Sequence, residues 1–283
     1  MEIRRLQKLN AINLKKQNLL ADCENCFALC CVALPYAKSS DFAFNKDSGK
    51  PCDNLQDNFL CSIHQELREK GFKGCTVYEC FGAGQKVAQH IYNGKSWRDF
   101  PETAENMFLV FPIIRQLHEI LYYLHEAAQR SETKRIHEQL INAYNIIESF
   151  TILTPEEILK LNVNKQREVI NPLLIQSSKM IRETYKSKHM PRLKRELFGA
   201  DLRNKKLSGA SFRGFLLIAA DLCNADLRGV DFIGADLRDA NLSGAILEES
   251  IFLTQAQINA ARGDEATKLP AHLQMPNHWS KDR

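Results

Sequence analysis

From Glu196 to Leu253 the chain reads ELFGA-DLRNK-KLSGA-SFRGF-LLIAA-DLCNA-DLRGV-DFIGA-DLRDA-NLSGA-ILEES-IFL. A Leu or Phe falls at every fifth position: Leu197, Leu202, Leu207, Phe212, Leu217, Leu222, Leu227, Phe232, Leu237, Leu242, Leu247 and Phe252. Two residues before a centre a small residue is usual, as at Ala200, Ala210, Ala220, Ala225, Ala235, Ala240 and Ala245, and Asp or Asn often stands between. Neither the 3.6-residue period of a helix nor the 2-residue period of a strand fits this register. A helix would spread these leucines all round its circumference. Internal repetition at a fixed period is the mark of a repeat architecture. Four five-residue units close a coil of about 20 residues, with centre and small residue pointing inward and coils stacking on one another. Phe212, Phe232 and Phe252 then share one face, as do Ala200, Ala220 and Ala240.

This pattern resembles the A(D/N)LXX pentapeptide-repeat proteins. The resemblance implies a short right-handed quadrilateral β-helix over 195–254, rising roughly 14 Å at one strand spacing per coil. Such an array needs caps. The segment Thr254–Arg262 and the tail over 255–283 are expected to supply one, with Leu269, Leu273, Met275 and Trp279 docked rather than exposed. The fold class expected for the whole chain is multidomain α+β: a cysteine-rich metal-binding module over 1–100, a helical region over 101–190, the β-helix, and a C-terminal cap and tail.

Outward from the repeats, residues 101–190 are helical in pattern. Pro101-Glu102 opens a helix running through Gln129-Arg130, with a kink or break expected at Pro112. A second covers about 133–149. Thr154-Pro155-Glu156-Glu157 is a helix start, and a last helix is expected over about 172–188 with Pro172 in its first turn. The N-terminus, with Ile3, Leu6, Leu9, Ile12 and Leu19, reads as an amphipathic helix.

Eight of the nine cysteines lie between Cys23 and Cys80, and Cys223 stands apart within the repeats. The order is Cys23-x2-Cys26-x3-Cys30-Cys31, then Pro51-Cys52, Cys61-x2-His64, and Cys75-x4-Cys80. A CxxC turn lets two thiolates reach one ion and leaves amides free to bond the sulfurs. Vicinal Cys30 and Cys31 point more naturally to different sites. Eight thiolates imply two four-ligand sites or one polynuclear site, and thiolate sulfur selects zinc or an iron–sulfur cluster. The candidate ligands are Cys23, Cys26, Cys30, Cys31, Cys52, Cys61, Cys75 and Cys80. His64 could replace one thiolate or be a surface histidine, and Cys223 is expected to be no ligand. This block resembles the CxxCxxCC zinc- or iron-chelating domain family over about residues 20–85, with one extra residue before the paired cysteines. That resemblance implies a metal and little more.

Other signals are weaker. Gly82-Ala83-Gly84-Gln85 lacks the third glycine and preceding strand of a phosphate loop and reads as a turn beside the metal. His118, His125 and His137 are expected on helix surfaces. A basic run from Arg182 to Lys206 reads as a solvated face and linker. No Ser-His-Asp or paired-carboxylate arrangement can be named. With 38 basic and 34 acidic residues the net charge is +4, too small to imply nucleic-acid binding.

No signal-peptide core and no long apolar run occurs, so a cytoplasmic location without a membrane span is expected. There, clustered cysteines are metal ligands or redox groups before they are disulfides. The expected function is therefore a non-catalytic cytoplasmic metal-binding protein whose repeats offer a surface to a protein partner. The alternative is a metal- or iron–sulfur-dependent enzyme or redox protein, since certain flagellin lysine methylases carry a similar cysteine cluster. Topoisomerase protection by DNA mimicry needs a long acidic solenoid. Residues 197–254 carry eight acids against six bases, too weak a charge for that role.

Overall fold

The computed structural model describes residues 16–186 and 195–280. These fall into two compact units. The first holds the cysteine block and most of the helices, and the second holds the repeats and the tail. Most of the expected N-terminal helix lies outside the described residues, which begin with a 3₁₀ turn, Lys16–Leu19.

The expected right-handed quadrilateral β-helix, and with it the α+β class, does not hold. Among the described residues there is no β-strand and no sheet; the repeats form single-residue parallel bridges separated by turns. The bridges join residues 20 apart, as in Asp201 with Asp221, Ser211 with Asp231 and Asp221 with Asn241. The five-residue period explains why strands are missing. From Leu197 to Leu247 each centre's carbonyl accepts a hydrogen bond from the amide three residues on, as from Ala210 to Leu207 and from Ala220 to Leu217. That turn occupies four residues and leaves about one to pair with the next coil.

The second residue after each centre sustains the turn. From Gly199 to Gly244 every such position has positive φ, filled by Gly at 199, 209, 214, 229, 234 and 244 and by Asn204, Ala219, Asn224 and Asp239. A type II turn requires that conformation at its third residue, and Gly or Asn tolerates it best. The Asp or Asn before each centre has its own task. Asp221, Asp226, Asp231, Asp236 and Asn241 each accept the amide two residues ahead on a side-chain oxygen.

Eleven of the twelve centres are buried, all but Leu197. Phe212 and Phe232 pack with ring centroids 5.6 Å apart. At the C-terminal end Arg262 bridges Asn241 and Lys268 bridges Ile246. Thr254 and Gln257 form a capping box on a short helix, Gln255–Ala260, and Gln257 Nε2 donates to the carbonyls of Phe232 and Ala235. Trp279 is buried and donates to Ala261 O at 3.0 Å; Leu269 and Leu273 pack on the same core, while Met275 stays exposed.

In the first unit a short helix α1 (Leu29–Ala33) carries Cys30 and Cys31. The long helix α2 (Ala104–Gln129) buries Met107, Val110, Phe111, Ile114, Leu117, Leu121 and Leu124 and packs on α3 (His137–Phe150) and α4 (Pro155–Leu159). Pro112 does not break α2, in which Phe111 before it and Ile114 after it are both buried. The capping box of Thr154 and Glu157 starts α4 as its sequence indicates. The next helix, α5 (Val163–Tyr185), of which the residues from Ile175 on fall in the second unit, begins nine residues earlier than expected. Asn162 Oδ1 accepts the Lys165 amide at its start, so Pro172 is interior. No described helix is long and apolar enough to cross a membrane.

Candidate functional site

The cysteine block has little regular structure, so its shape comes from hydrogen bonds between distant segments. The stretch 20–30 is fastened to 82–89. Gln85 Nε2 donates to Leu20 O at 2.7 Å, the Asp22 amide donates to Gln85 Oε1 at 3.3 Å, and Gln89 Nε2 donates to Asn25 O at 2.9 Å. A Cβ added at Gly84 would fall 2.4 Å from Cys26 Sγ, so only glycine lets the thiol lie there. Gly82, with φ +75, approaches Asn18 O as closely. The two glycines therefore serve close packing of the 80s loop on the cysteine turn. Cys23 and Cys30 each lie within electrostatic reach of Cys26 and Cys80, and Cys23 also lies within reach of Cys31 and Cys61.

A second group forms where α1 meets the loops after it. The Cys52 amide donates to Cys31 O at 3.0 Å, and the Gly49 amide to Val32 O at 2.9 Å. Leu55 bridges Cys61, and the Ser62 amide donates to Asn54 O. Cys75 follows Phe72, whose ring packs on Phe44 and Tyr36. Tyr36 also stacks on Phe42 at 4.3 Å and donates its hydroxyl to Cys52 Sγ at 3.2 Å. Cys75 lies within electrostatic reach of Cys31, Cys52 and Cys61.

Sequence reasoning missed two polar groups here, Tyr36 and Lys46. Lys46 is buried, and its Nζ donates to the carbonyls of Val32, Asp47 and Lys50 at 3.1, 3.0 and 2.9 Å. All three protons are used; burial pulls the ammonium below the usual lysine range, and the nearby Cys52, Cys31 and Cys30 oppose that shift. A lysine between hydrophobic loops gives no periodic signal, and only the fold reveals its three carbonyl partners.

Burial keeps most of these thiols protonated. It pushes Cys26 and Cys75 up to about 12 and Cys80 up to about 11, with neighbouring thiols adding to the shift in each case. Cys30 and Cys31, with sulfurs 3.8 Å apart, share a hydrogen bond that raises the first and lowers the second. Backbone amides oppose burial at three sulfurs: Leu29 and Ala28 at Cys26, Ile63 at Cys61, and Gly82 and Gly84 at Cys80. Amides aimed at sulfur are the surroundings a metal-bound thiolate needs.

All nine cysteines are free thiols. Among the described residues, no three His, Cys, Asp or Glu side chains close tightly enough to hold an ion as they stand. By chemistry alone the set is one of soft sulfur donors with amides directed at three of them, with Lys46 nearby. His64 is exposed, and Cys223 lies in the other unit.

His118 and His125, expected on a helix surface, are buried on α2. His118 Nδ1 bonds Phe81 O at 2.7 Å, and burial pulls its imidazole down to about 4. Of the basic run, Lys188, Arg192 and Lys194 lie outside the described residues. Arg182 bonds Ser178 Oγ and Gly209 O, and Arg203 pairs with Asp201.

Residues 216–252 match the pentapeptide repeats family, with eight copies. The chain is also similar to the "Uncharacterized protein YybG" of Bacillus subtilis (strain 168), 57% identical over 265 residues that cover 93% of this chain and 95% of that protein. With a likeness that extends from the cysteine block through the repeats, the chain belongs to the family of YybG and is a pentapeptide-repeat protein.

Proposed function

We propose that this is a non-catalytic metal-binding protein, holding zinc or an iron–sulfur cluster on its cysteine block and offering its pentapeptide repeats to a protein partner. The observation that carries this reading is the gathering of eight thiols from five separate stretches of chain into one region, with amides aimed at three of the sulfurs. Free cysteines without disulfides suit a reducing compartment such as the cytoplasm. Thiolate ligation would also add folding energy to a region with little regular structure. The repeats contribute a rigid scaffold whose outward positions are free to vary, which suits a binding surface.

The test is metal analysis with a visible spectrum on full-length protein purified without oxygen. Stoichiometric zinc in a colourless protein, or iron with visible absorbance, supports the reading. The iron result would also revive redox chemistry. Protein with neither metal, and unable to take up either under reducing conditions, overturns it.

A further inference from the structure

From Ile175 on, α5 belongs with the repeats in the second unit. Two glycines of the repeats make room for it. A Cβ added at Gly209 would fall 2.6 Å from Arg182 O, and one at Gly229 would run into the Tyr185 ring. Arg182 Nη1 donates to Gly209 O at 3.1 Å, and Ser177, Ser178 and Ile181 are buried. Ser178 in turn bonds the carboxylate of Asp231, two residues beyond Gly229. We propose that Asp231 is a pH-sensitive latch that fastens this half of α5 to the repeats, tighter when the carboxyl is protonated and looser when it is charged.

Asp231 stands apart from the other acids of the repeats. It is fully buried, whereas Asp201, Asp221, Asp226 and Asp236 all reach solvent. Asp226 and Asp236 each pair with the arginine two residues on, Arg228 and Arg238. That place beside Asp231 is taken by Ile233, whose amide donates to Oδ1 at 2.9 Å. The countercharge comes instead from the coil before, with Arg213 Nη1 at 3.6 Å from Oδ2. Among the described residues Oδ2 accepts no hydrogen bond. A buried carboxylate with an oxygen so poorly served costs free energy for as long as it is charged. The turn itself does not need the charge. Asn241 does the same task with an amide oxygen, accepting from the Ser243 amide.

The charged groups facing Asp231 are Arg213 from the repeats and Arg182 from α5, joined by the Ser178 hydroxyl and the Ile233 amide. All four favour the carboxylate. Burial outweighs them and raises the group above its ordinary 3.8. The docked state therefore binds this proton more readily than a state in which α5 has lifted and water reaches the carboxylate. The contribution to docking is fully present below about pH 3.8 and is lost as pH rises through the raised value. Gly209 and Gly229 thus mark a face of the repeats that the chain covers with its own helix, and access to that face follows the charge on one side chain.

The test is hydrogen exchange on the full chain at about pH 5 and about pH 7.5, corrected for the intrinsic pH dependence of exchange. Protection of residues 178–185 is read against the bridged amides of 202–246. In wild type the ratio should be several-fold lower at the higher pH. Asp231→Asn should remove that difference and hold the ratio near the wild-type value at the lower pH. Ser178→Ala, which takes a donor from the carboxylate without altering a coil, should widen the difference. Equal wild-type ratios at the two pH values overturn the proposal. So does a pH difference that persists in Asp231→Asn, or one that Ser178→Ala leaves unchanged or narrows.

Discussion

His118 shows how a single side chain sets a condition on the fold. Its ring is buried on α2, bonded to Phe81 O, and titrates near 4 against an ordinary 6.5. The unfolded chain therefore binds this proton more readily than the folded one. The histidine's contribution is fully present above about pH 6.5 and is lost as pH falls toward 4. Between pH 7 and pH 4.5 that amounts to roughly 2 kcal/mol. Urea unfolding of wild type and His118→Gln at both pH values should show a steeper loss in wild type. Equal slopes would mean that the ring is not held neutral. The eight thiols were legible in the sequence because their spacing is a chemical pattern in itself. His118, Lys46 and Gly84 were not, because each acquires its role from a partner dozens of residues away or across a loop that only folding brings close.

At the scale of the element, the five-residue turn is the unit that repeats. Gly214 has φ +67 and open space where a Cβ would go. Gly214→Ala therefore isolates the backbone requirement from any clash. It should cost about 1 kcal/mol, read as a fall in melting temperature. Unchanged stability would show that the turn does not need left-handed backbone there.

The buried centres give a larger effect. Phe232 is fully buried against Phe212, and truncation to alanine should cost about 3–5 kcal/mol. Arg238→Ala, which removes an exposed pair with Asp236, should cost under about 1 kcal/mol. Similar melting temperatures for the two variants would contradict the inward placement of the centres. The inward register was readable from period five alone. The absence of strands was not read, because the turn's own length consumes the residues that a strand would use. The early start of α5 was hidden likewise, since Asn162 acts as a cap only once Pro172 is accepted inside a helix.

On the scale of the whole molecule, two units are held by different means. The cysteine block depends on loops tied to one another and, on the proposed reading, on the metal its thiols hold, whereas the repeats depend on buried Leu, Phe and Ala. Metal removal, followed by hydrogen exchange, should therefore raise exchange across residues 20–89 and leave the bridged amides of 202–246 protected. Loss of protection in both together would mean that they unfold as one. The bridges carry one more consequence. Each coil is paired with the next at a separation of 20 residues, so chain length in this region is quantised. A tandem duplication of residues 221–240 returns every side chain to its own wall and adds a storey, whereas a duplication of five residues keeps centre over centre but turns each wall by a quarter and sets Phe over Leu in the column. Length variation of such a protein in steps of five keeps the inward register, and steps of twenty also keep Phe over Phe.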